Sequence, residues 1–81
     1  MAVKRQTNDA IRKSRHRMGY DDARAQGPGM DEDEILDAAM RAQGFVDRNY
    51  TAGKRLSAAY YEGKVAGFRE VLQDRRSNAQ S

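Results

Sequence analysis

The sequence predicts an all-α protein, and three observations support this fold class. Large apolar residues between Leu56 and Leu72 recur at helical spacing, and a second segment after Asp31 has the same period. Four acids open that second segment, as is typical of a helix N-terminus. No run of β-branched residues bounded by turn signals indicates a strand. We therefore expect two helices that form an antiparallel hairpin within residues 31–76.

The chain before the hairpin is expected to be a flexible basic arm. After its first three residues, the only large apolar side chains before residue 20 are Ile11 and Met18. Two such side chains are too few to hold a helix against a core, so we expect the arm to be disordered or to become ordered on binding. The only proline of the chain lies within Gly27–Gly29. This breaker ends the arm and linker, residues 1–30, and separates them mechanically from the hairpin.

The first helix of the hairpin is predicted to begin at Asp31. Asp31 and Glu34 have the spacing of a capping box, and the surrounding acids complement the positive end of the helix dipole. One apolar face continues to Val46 only if the helix runs through Gly44. Phe45 points away from this face, and the sequence offers no partner for it within the chain. The predicted face comprises Ile35, Leu36, Ala39, Met40, Val46 and Tyr50.

The last helix is predicted to have Thr51 as its N-cap, after a turn at residues 49–53, and to end near Arg76. We expect residues 77–81 to fray. A rival architecture also fits the pattern, because one continuous helix over residues 31–76 keeps its apolar residues nearly in phase. Such a helix would require a coiled partner and therefore an oligomer.

The last helix also carries the predicted protein-interaction surface. Its apolar residues cover about half of the helix circumference, which is more than one hairpin neighbour covers, so we expect a protein partner or a homo-oligomer. Gly63 and Gly67 lie four residues apart and favour the close approach of another helix. At Lys64, either the stem packs along the surface or the amine meets a partner's carboxylate or phosphate. The predicted surface consists of Leu56, Tyr60, Tyr61, Lys64, Val65, Phe68, Val71 and Leu72.

The basic arm is a candidate nucleic-acid-binding segment. Residues 1–20 carry a net charge of +5, residues 21–40 carry −6 and residues 41–81 carry +4. The six cations of the arm can neutralise several phosphates, yet no aromatic residue lies among them to stack on a base. A solvated tail or a protein-docking arm explains the same composition. The candidate residues are Lys4, Arg5, Arg12, Lys13, Arg15 and Arg17.

The sequence contains few candidate catalytic residues. The chain has no cysteine and one histidine, His16, and local spacing places no general base beside a Ser, Thr or Lys nucleophile. The acids of residues 31–37 do not alternate as calcium ligands do. We therefore expect no enzyme activity, metal, cofactor or small-molecule ligand. We recognise neither a membrane span nor a signal segment, which favours a soluble intracellular protein.

These features predict a non-catalytic helical interaction protein. Small size, charge segregation and missing chemistry are typical of adaptor, inhibitor or virion-component proteins of phages, for which the location would be the host cytoplasm or the virion. The alternative is a nucleic-acid-binding accessory protein that uses the basic arm. The sequence alone leaves both functions open.

Overall fold

Three α-helices account for most of the residues that the structure describes. The structure, a computed structural model, describes residues 7–79. The helices are α1 (Asn8–Gln26), α2 (Glu32–Thr51) and α3 (Arg55–Ala79), with one 3-10 turn at Gly27–Gly29. Regular structure in the described residues is entirely helical, which confirms the predicted fold class. Helix α3 also includes residues 77–79, part of the segment that we expected to fray.

Helix α3 is the shared partner of the other two helices. Both α1 and α2 pack on α3 and make little contact with each other. The pairing of α1 with α3 is parallel, since Gly19 lies against Tyr60 and Gly27 lies against Val71. Helix α2 runs in the opposite direction, so its start lies beside the end of α3. Two neighbours thus cover the broad apolar arc of α3.

Residues 8–26, which we expected to belong to a flexible arm, form helix α1 and pack on α3. The Thr7 hydroxyl caps this helix by accepting a hydrogen bond from the Ala10 amide at 3.1 Å. The contact with α3 needs no large apolar side chains because the buried residues of α1 are small, namely Gly19 and Ala23. A count of large apolar residues therefore misses this helix. The predicted arm also includes residues 1–6, which lie outside the described residues.

Glycines bring the backbones of α1 and α3 into contact. A β-carbon on Gly63 would collide with the His16 carbonyl oxygen, and one on Gly19 would collide with the Tyr60 carbonyl oxygen. Gly67 faces α1 in the same way one turn later. The predicted role of Gly63 and Gly67 in close helix approach is confirmed, with α1 as the approaching helix.

The predicted start of α2 is confirmed. The Glu34 amide donates to the Asp31 carboxylate at 2.8 Å, and the Asp31 amide donates to the Glu34 carboxylate at 3.2 Å, which completes the capping box. The helix runs through Gly44 and buries Ile35 and Val46, as expected. Three residues of the predicted apolar face are instead exposed, because the buried side of α2 is narrower than predicted: Leu36, Met40 and Tyr50.

The chain reverses between α2 and α3, which excludes a single continuous helix. Gly53 adopts a positive φ of 74°, a conformation that suits glycine. The predicted N-cap is wrong, because α3 begins at Arg55 and the Thr51 hydroxyl donates to the Asp47 carbonyl at 2.9 Å. The expected antiparallel pair of helices is present, but as part of a three-helix arrangement rather than as an isolated hairpin.

The main core lies where the three helices meet, near the 3-10 turn. Phe68 and Ile35 are its largest fully buried side chains. Arg75 ties the turn to α3, since its guanidinium donates to the carbonyls of Gly27 at 3.0 Å and of Met30. The turn therefore joins α1 to the rest of the molecule rather than separating it mechanically. The core cluster consists of Ala23, Ile35, Phe68, Val71 and Leu72.

Candidate interaction surfaces

The predicted interaction surface of α3 lies largely inside the three-helix structure. Four of its residues are at most 6% exposed: Val65, Phe68, Val71 and Leu72. The other four are half-buried: Leu56, Tyr60, Tyr61 and Lys64. Helices α1 and α2 supply the neighbours that the broad apolar arc requires. The arc by itself therefore does not indicate an outside partner.

Three of the half-buried residues make contacts within the chain. The Tyr60 hydroxyl donates to the Asp22 carboxylate of α1 at 2.5 Å, and this hydrogen bond raises the pKa of Tyr60. The Tyr61 ring stacks on Phe45 of α2, with 4.8 Å between ring centroids. The Lys64 ammonium lies 5.6 Å from the centroid of the Tyr60 ring. Its stem thus packs along α3 while its charge lies over an aromatic face.

Exposed apolar side chains concentrate on α2. Four of the five large apolar residues that are exposed in the described chain belong to this helix. Met40 is 73% exposed, Leu36 one turn earlier is 40% exposed, and Phe45 is 43% exposed although one ring face stacks on Tyr61. We name the side of α2 formed by Leu36, Met40, Gly44 and Phe45 the α2 outer face.

A shallow hollow lies at Gly44, in the centre of the α2 outer face. Apart from its chain neighbours and the backbone of its own helix, no atom lies within 4 Å of the position that a β-carbon of Gly44 would take. Met40 and Phe45 border the hollow, and Asp37, Arg41 and Arg48 contribute to its rim. The Arg48 guanidinium lies 5.8 Å from the centroid of the Phe45 ring. An apolar side chain of another molecule can therefore reach the α2 backbone here, with the Asp37–Arg41 ion pair and Arg48 around it.

The helical pattern of the sequence does not identify most of the α2 outer face. Leu36 and Met40 fit a helical face together with Ile35, although they lie roughly 100° or more around the helix from it. Phe45 is the signal that sequence reasoning does detect, since it points away from the apolar face of α2. Its ring stacks on Tyr61 and lies near Arg48, yet 43% of the residue remains exposed.

Charge is divided along α2. The first six residues of the helix contain four acids and no cation, whereas its other fourteen residues contain two arginines and one aspartate. Asp37, the last of these four acids, pairs with Arg41 at 2.9 Å. Asp33 and Arg48 make no ion pair within the described residues. The helix thus presents an exposed negative charge near its start, at Asp33, and an exposed positive charge near its end, at Arg48.

The predicted nucleic-acid-binding cations lie on α1 or outside the described residues. Three of them pair with acids of α1 itself: Arg12 with Asp9 (3.2 Å), Lys13 with Asp9 (3.8 Å) and Arg17 with Asp21 (3.8 Å). These pairs are exposed, so phosphate oxygens can replace the carboxylates at little cost. Arg15 is exposed and forms no ion pair in residues 7–79. Lys4 and Arg5 lie outside the described residues.

The starts of α1 and α3 lie at the same end of the molecule and bring cations together. Arg12 of α1 and Glu62 of α3 border one hollow. The Tyr50 hydroxyl donates to Glu62 at 2.5 Å, and this hydrogen bond raises the pKa of Tyr50, while the charges of Arg12 and Arg55 act in the opposite direction. Arg12 and Arg55, which are far apart in the sequence, therefore both act on the Tyr50 hydroxyl. We name this region the basic end; it consists of Arg12, Lys13, Arg15, Lys54 and Arg55.

Neither a metal centre nor a membrane-spanning segment is found in the part of the chain that the structure describes. Within residues 7–79, no group of three or more His, Cys, Asp or Glu side chains is arranged to hold a metal ion. None of the three helices, over that same range, is long and apolar enough to cross a bilayer. Comparison with protein-family models, curated proteins and solved structures finds no match.

Proposed function

We propose that this chain is a non-catalytic helical interaction protein that docks through the α2 outer face on a copy of itself or on another macromolecule. The observation that supports this proposal is the exposure of Met40 beside Leu36 and Phe45, where Gly44 leaves a hollow. The large apolar residues of α3 are already covered by α1 and α2. The α2 outer face is therefore the apolar surface that remains for a partner.

The residue types of this face suit protein recognition. Methionine adapts its shape to a partner, and aromatic residues and arginine are enriched in interfaces. Burial of apolar surface contributes about 25 cal/mol per Å², so three partly exposed side chains supply a few kcal/mol against the cost of association. Arg41 and Arg48 at the rim can donate to carbonyl or carboxylate oxygens of the partner.

A role of this type is that of an adaptor, an inhibitor or a virion component. In each case a small helical protein acts by binding a partner, without carrying out a reaction itself. If the chain is phage-encoded, the partner would lie in the host cytoplasm or in the virion.

Site-specific photo-crosslinking in cells of the native source tests the proposal. A photoreactive phenylalanine analogue replaces Met40 in one variant and Met18 in the matched control, since Met18 is 58% exposed on α1, away from the α2 outer face. We expect a discrete crosslinked product from position 40, little product from position 18, and loss of the product when Leu36→Glu is added. Equal labelling at both positions, or none at position 40, would contradict the proposal.

The basic end supports a second candidate function, the binding of nucleic acid. Arg12 and Arg55, from two different helices, both act on the Tyr50 hydroxyl, so cations converge there. The acidic start of α2 lies at the other end of a 20-residue helix, about 30 Å away. That separation exceeds the screening length of roughly 8 Å at physiological salt, so the acids oppose phosphate binding only weakly. We expect weak binding that tolerates changes in nucleotide sequence.

Titration of labelled duplex DNA and single-stranded RNA at about 50 mM and about 200 mM salt tests this second function. Arg55→Gln should weaken binding and reduce the salt dependence by about one phosphate contact. Arg69→Gln is the matched control, because Arg69 is an exposed cation further along the same helix, and it should have little effect. No binding at low salt, or binding that is indifferent to Arg55, would remove this candidate.

A further inference from the structure

We infer that the partner of the α2 outer face is a second copy of this chain, with the two α2 helices packed antiparallel. This inference rests on the proposed function and adds the identity of the partner and its direction. Three features of α2 lead to it: the division of charge along the helix, the positions of two exposed charged residues, and the hollow at Gly44.

The charges of α2 complement one another only when two copies run antiparallel. The first six residues of the helix carry four acids, its far end carries Asp47 and Arg48, and Lys54 and Arg55 follow in the chain. Antiparallel packing places the acidic start of each copy toward this far end of the other copy, where three cations outnumber one acid, at both ends of the pair. Parallel packing would place four acids against four acids, which is unfavourable. The charge pattern therefore selects the antiparallel direction.

Asp33 and Arg48 are the residues best placed to pair between the copies. Both are exposed, and neither forms an ion pair within the residues that the structure describes. Asp33 precedes Met40 by seven residues and Arg48 follows it by eight. A two-fold axis near Met40 therefore brings Asp33 of one copy opposite Arg48 of the other, twice in each dimer.

The hollow at Gly44 permits close approach near this two-fold axis. Apart from its chain neighbours and the backbone of its own helix, no atom lies within 4 Å of the β-carbon position of Gly44, so a side chain of the second helix can approach the α2 backbone at this point. The long Met40 side chain stands beside the hollow and can fill the space over the glycine of the other copy. Leu36 and Phe45 extend the apolar contact on either side of this point.

The size of the face sets the strength of the association. A 20-residue helix is about 30 Å long, and a single pair of such helices reaches at most the low end of stable interfaces, near 1,200 Å² of total buried area, as an order-of-magnitude figure. We therefore expect a dimer that dissociates on dilution in the micromolar range.

Sedimentation velocity of the full chain tests the inference. The wild type should change from monomer to dimer between about 1 µM and about 500 µM. Asp33→Arg alone and Arg48→Asp alone should each weaken association at least about tenfold, since each puts like charges opposite one another. An equimolar mixture of the two variants should recover wild-type association, because both interhelical pairs of the mixed dimer then join an acid to a base.

Matched variants and circular dichroism distinguish a loss of dimerisation from a loss of folding. Met40→Glu should abolish dimerisation and Met18→Glu should preserve it, with unchanged helical spectra for both. A wild type that stays monomeric throughout would overturn the inference, and weakened single variants without recovery on mixing would overturn the antiparallel arrangement. If the wild type is monomeric but position 40 still crosslinks a different protein, the inference of a second copy is wrong, while the proposed function remains supported. The absence of any product at position 40 would overturn the proposed function itself.

Discussion

Gly63 and Gly44 both lie in the interior of a helix, yet their surroundings differ. Gly63 lies against α1, where a β-carbon would collide with the His16 carbonyl oxygen. Gly44 faces open space. A helical glycine is less stable than alanine by roughly 0.5–1 kcal/mol, so the cost at Gly63 is offset by the backbone contact, whereas the cost at Gly44 has no such compensation within the chain.

We therefore expect opposite effects from the same substitution at these two positions. Gly63→Ala should destabilise the fold by about 1–3 kcal/mol, because the added methyl group forces α1 away from α3. Gly44→Ala should stabilise the monomer by roughly 0.5–1 kcal/mol. Urea unfolding at low protein concentration measures both values. Stabilisation by Gly63→Ala would mean that α1 does not lie on α3 at this point.

Asp31 provides a prediction about acid stability. The hydrogen bond from the Glu34 amide lowers the pKa of Asp31 from its ordinary value of 3.8. Because the folded pKa is the lower one, the ionised carboxylate stabilises the fold above the ordinary pKa, and this stabilisation is lost as the pH falls through the folded pKa. Asp31→Ala should therefore lower the Tm at about pH 7 and have a smaller effect at about pH 2. An equal difference in Tm at both pH values would show that ionisation of the cap contributes nothing.

At the scale of the elements, α1 is the helix whose removal is most informative. If α1 packs on α3 as described, deletion of residues 1–19 should lower the free energy of unfolding by more than about 1 kcal/mol. A flexible arm would leave it nearly unchanged. Met18→Ser is the control, because Met18 is an exposed residue of α1 and its replacement should stay within about 0.5 kcal/mol. Unchanged stability after the deletion would restore the flexible-arm interpretation.

The elements that sequence reasoning predicted well are those with local signals. The capping box of Asp31 and Glu34 depends on residues three apart, and the continuation of α2 through Gly44 follows from the phase of Val46. The start of α3 was predicted too early, because the preference of Thr51 for an N-cap was outweighed by its hydrogen bond to the Asp47 carbonyl. Helix α1 was missed because its contact with α3 depends on small residues.

The candidate site was harder to predict than the elements. A helical wheel correctly indicates that α3 needs more than one neighbour, but it does not identify which segment covers Tyr60 or Gly67. The structure supplies α1 for this purpose, a segment that large-residue counting assigns to the solvent. Once α1 is placed, the exposed apolar surface moves from α3 to α2, where Met40 is the most exposed of the large apolar residues.

At the scale of the whole molecule, three helices separate two surfaces of different chemistry. The α2 outer face combines exposed apolar side chains with the Asp37–Arg41 ion pair and has charges of opposite sign at its two ends, and the basic end carries cations from the starts of α1 and α3. The position of α1 decides which apolar residues remain free. If α1 were detached, the side of α3 that includes Tyr60, Gly63 and Gly67 would become the surface that requires a partner.

Hydrogen–deuterium exchange with mass spectrometry tests the position of α1 most directly. Peptides within residues 8–26 should exchange slowly, and the slowest amides should lie near Gly19 and Ala23, where α1 meets α3. Protection should approach that of α3 near Phe68 and should decrease toward Thr7. Exchange of residues 8–26 at the rate of an unfolded chain, beside a protected α2 and α3, would contradict the three-helix arrangement and return the interaction surface to α3.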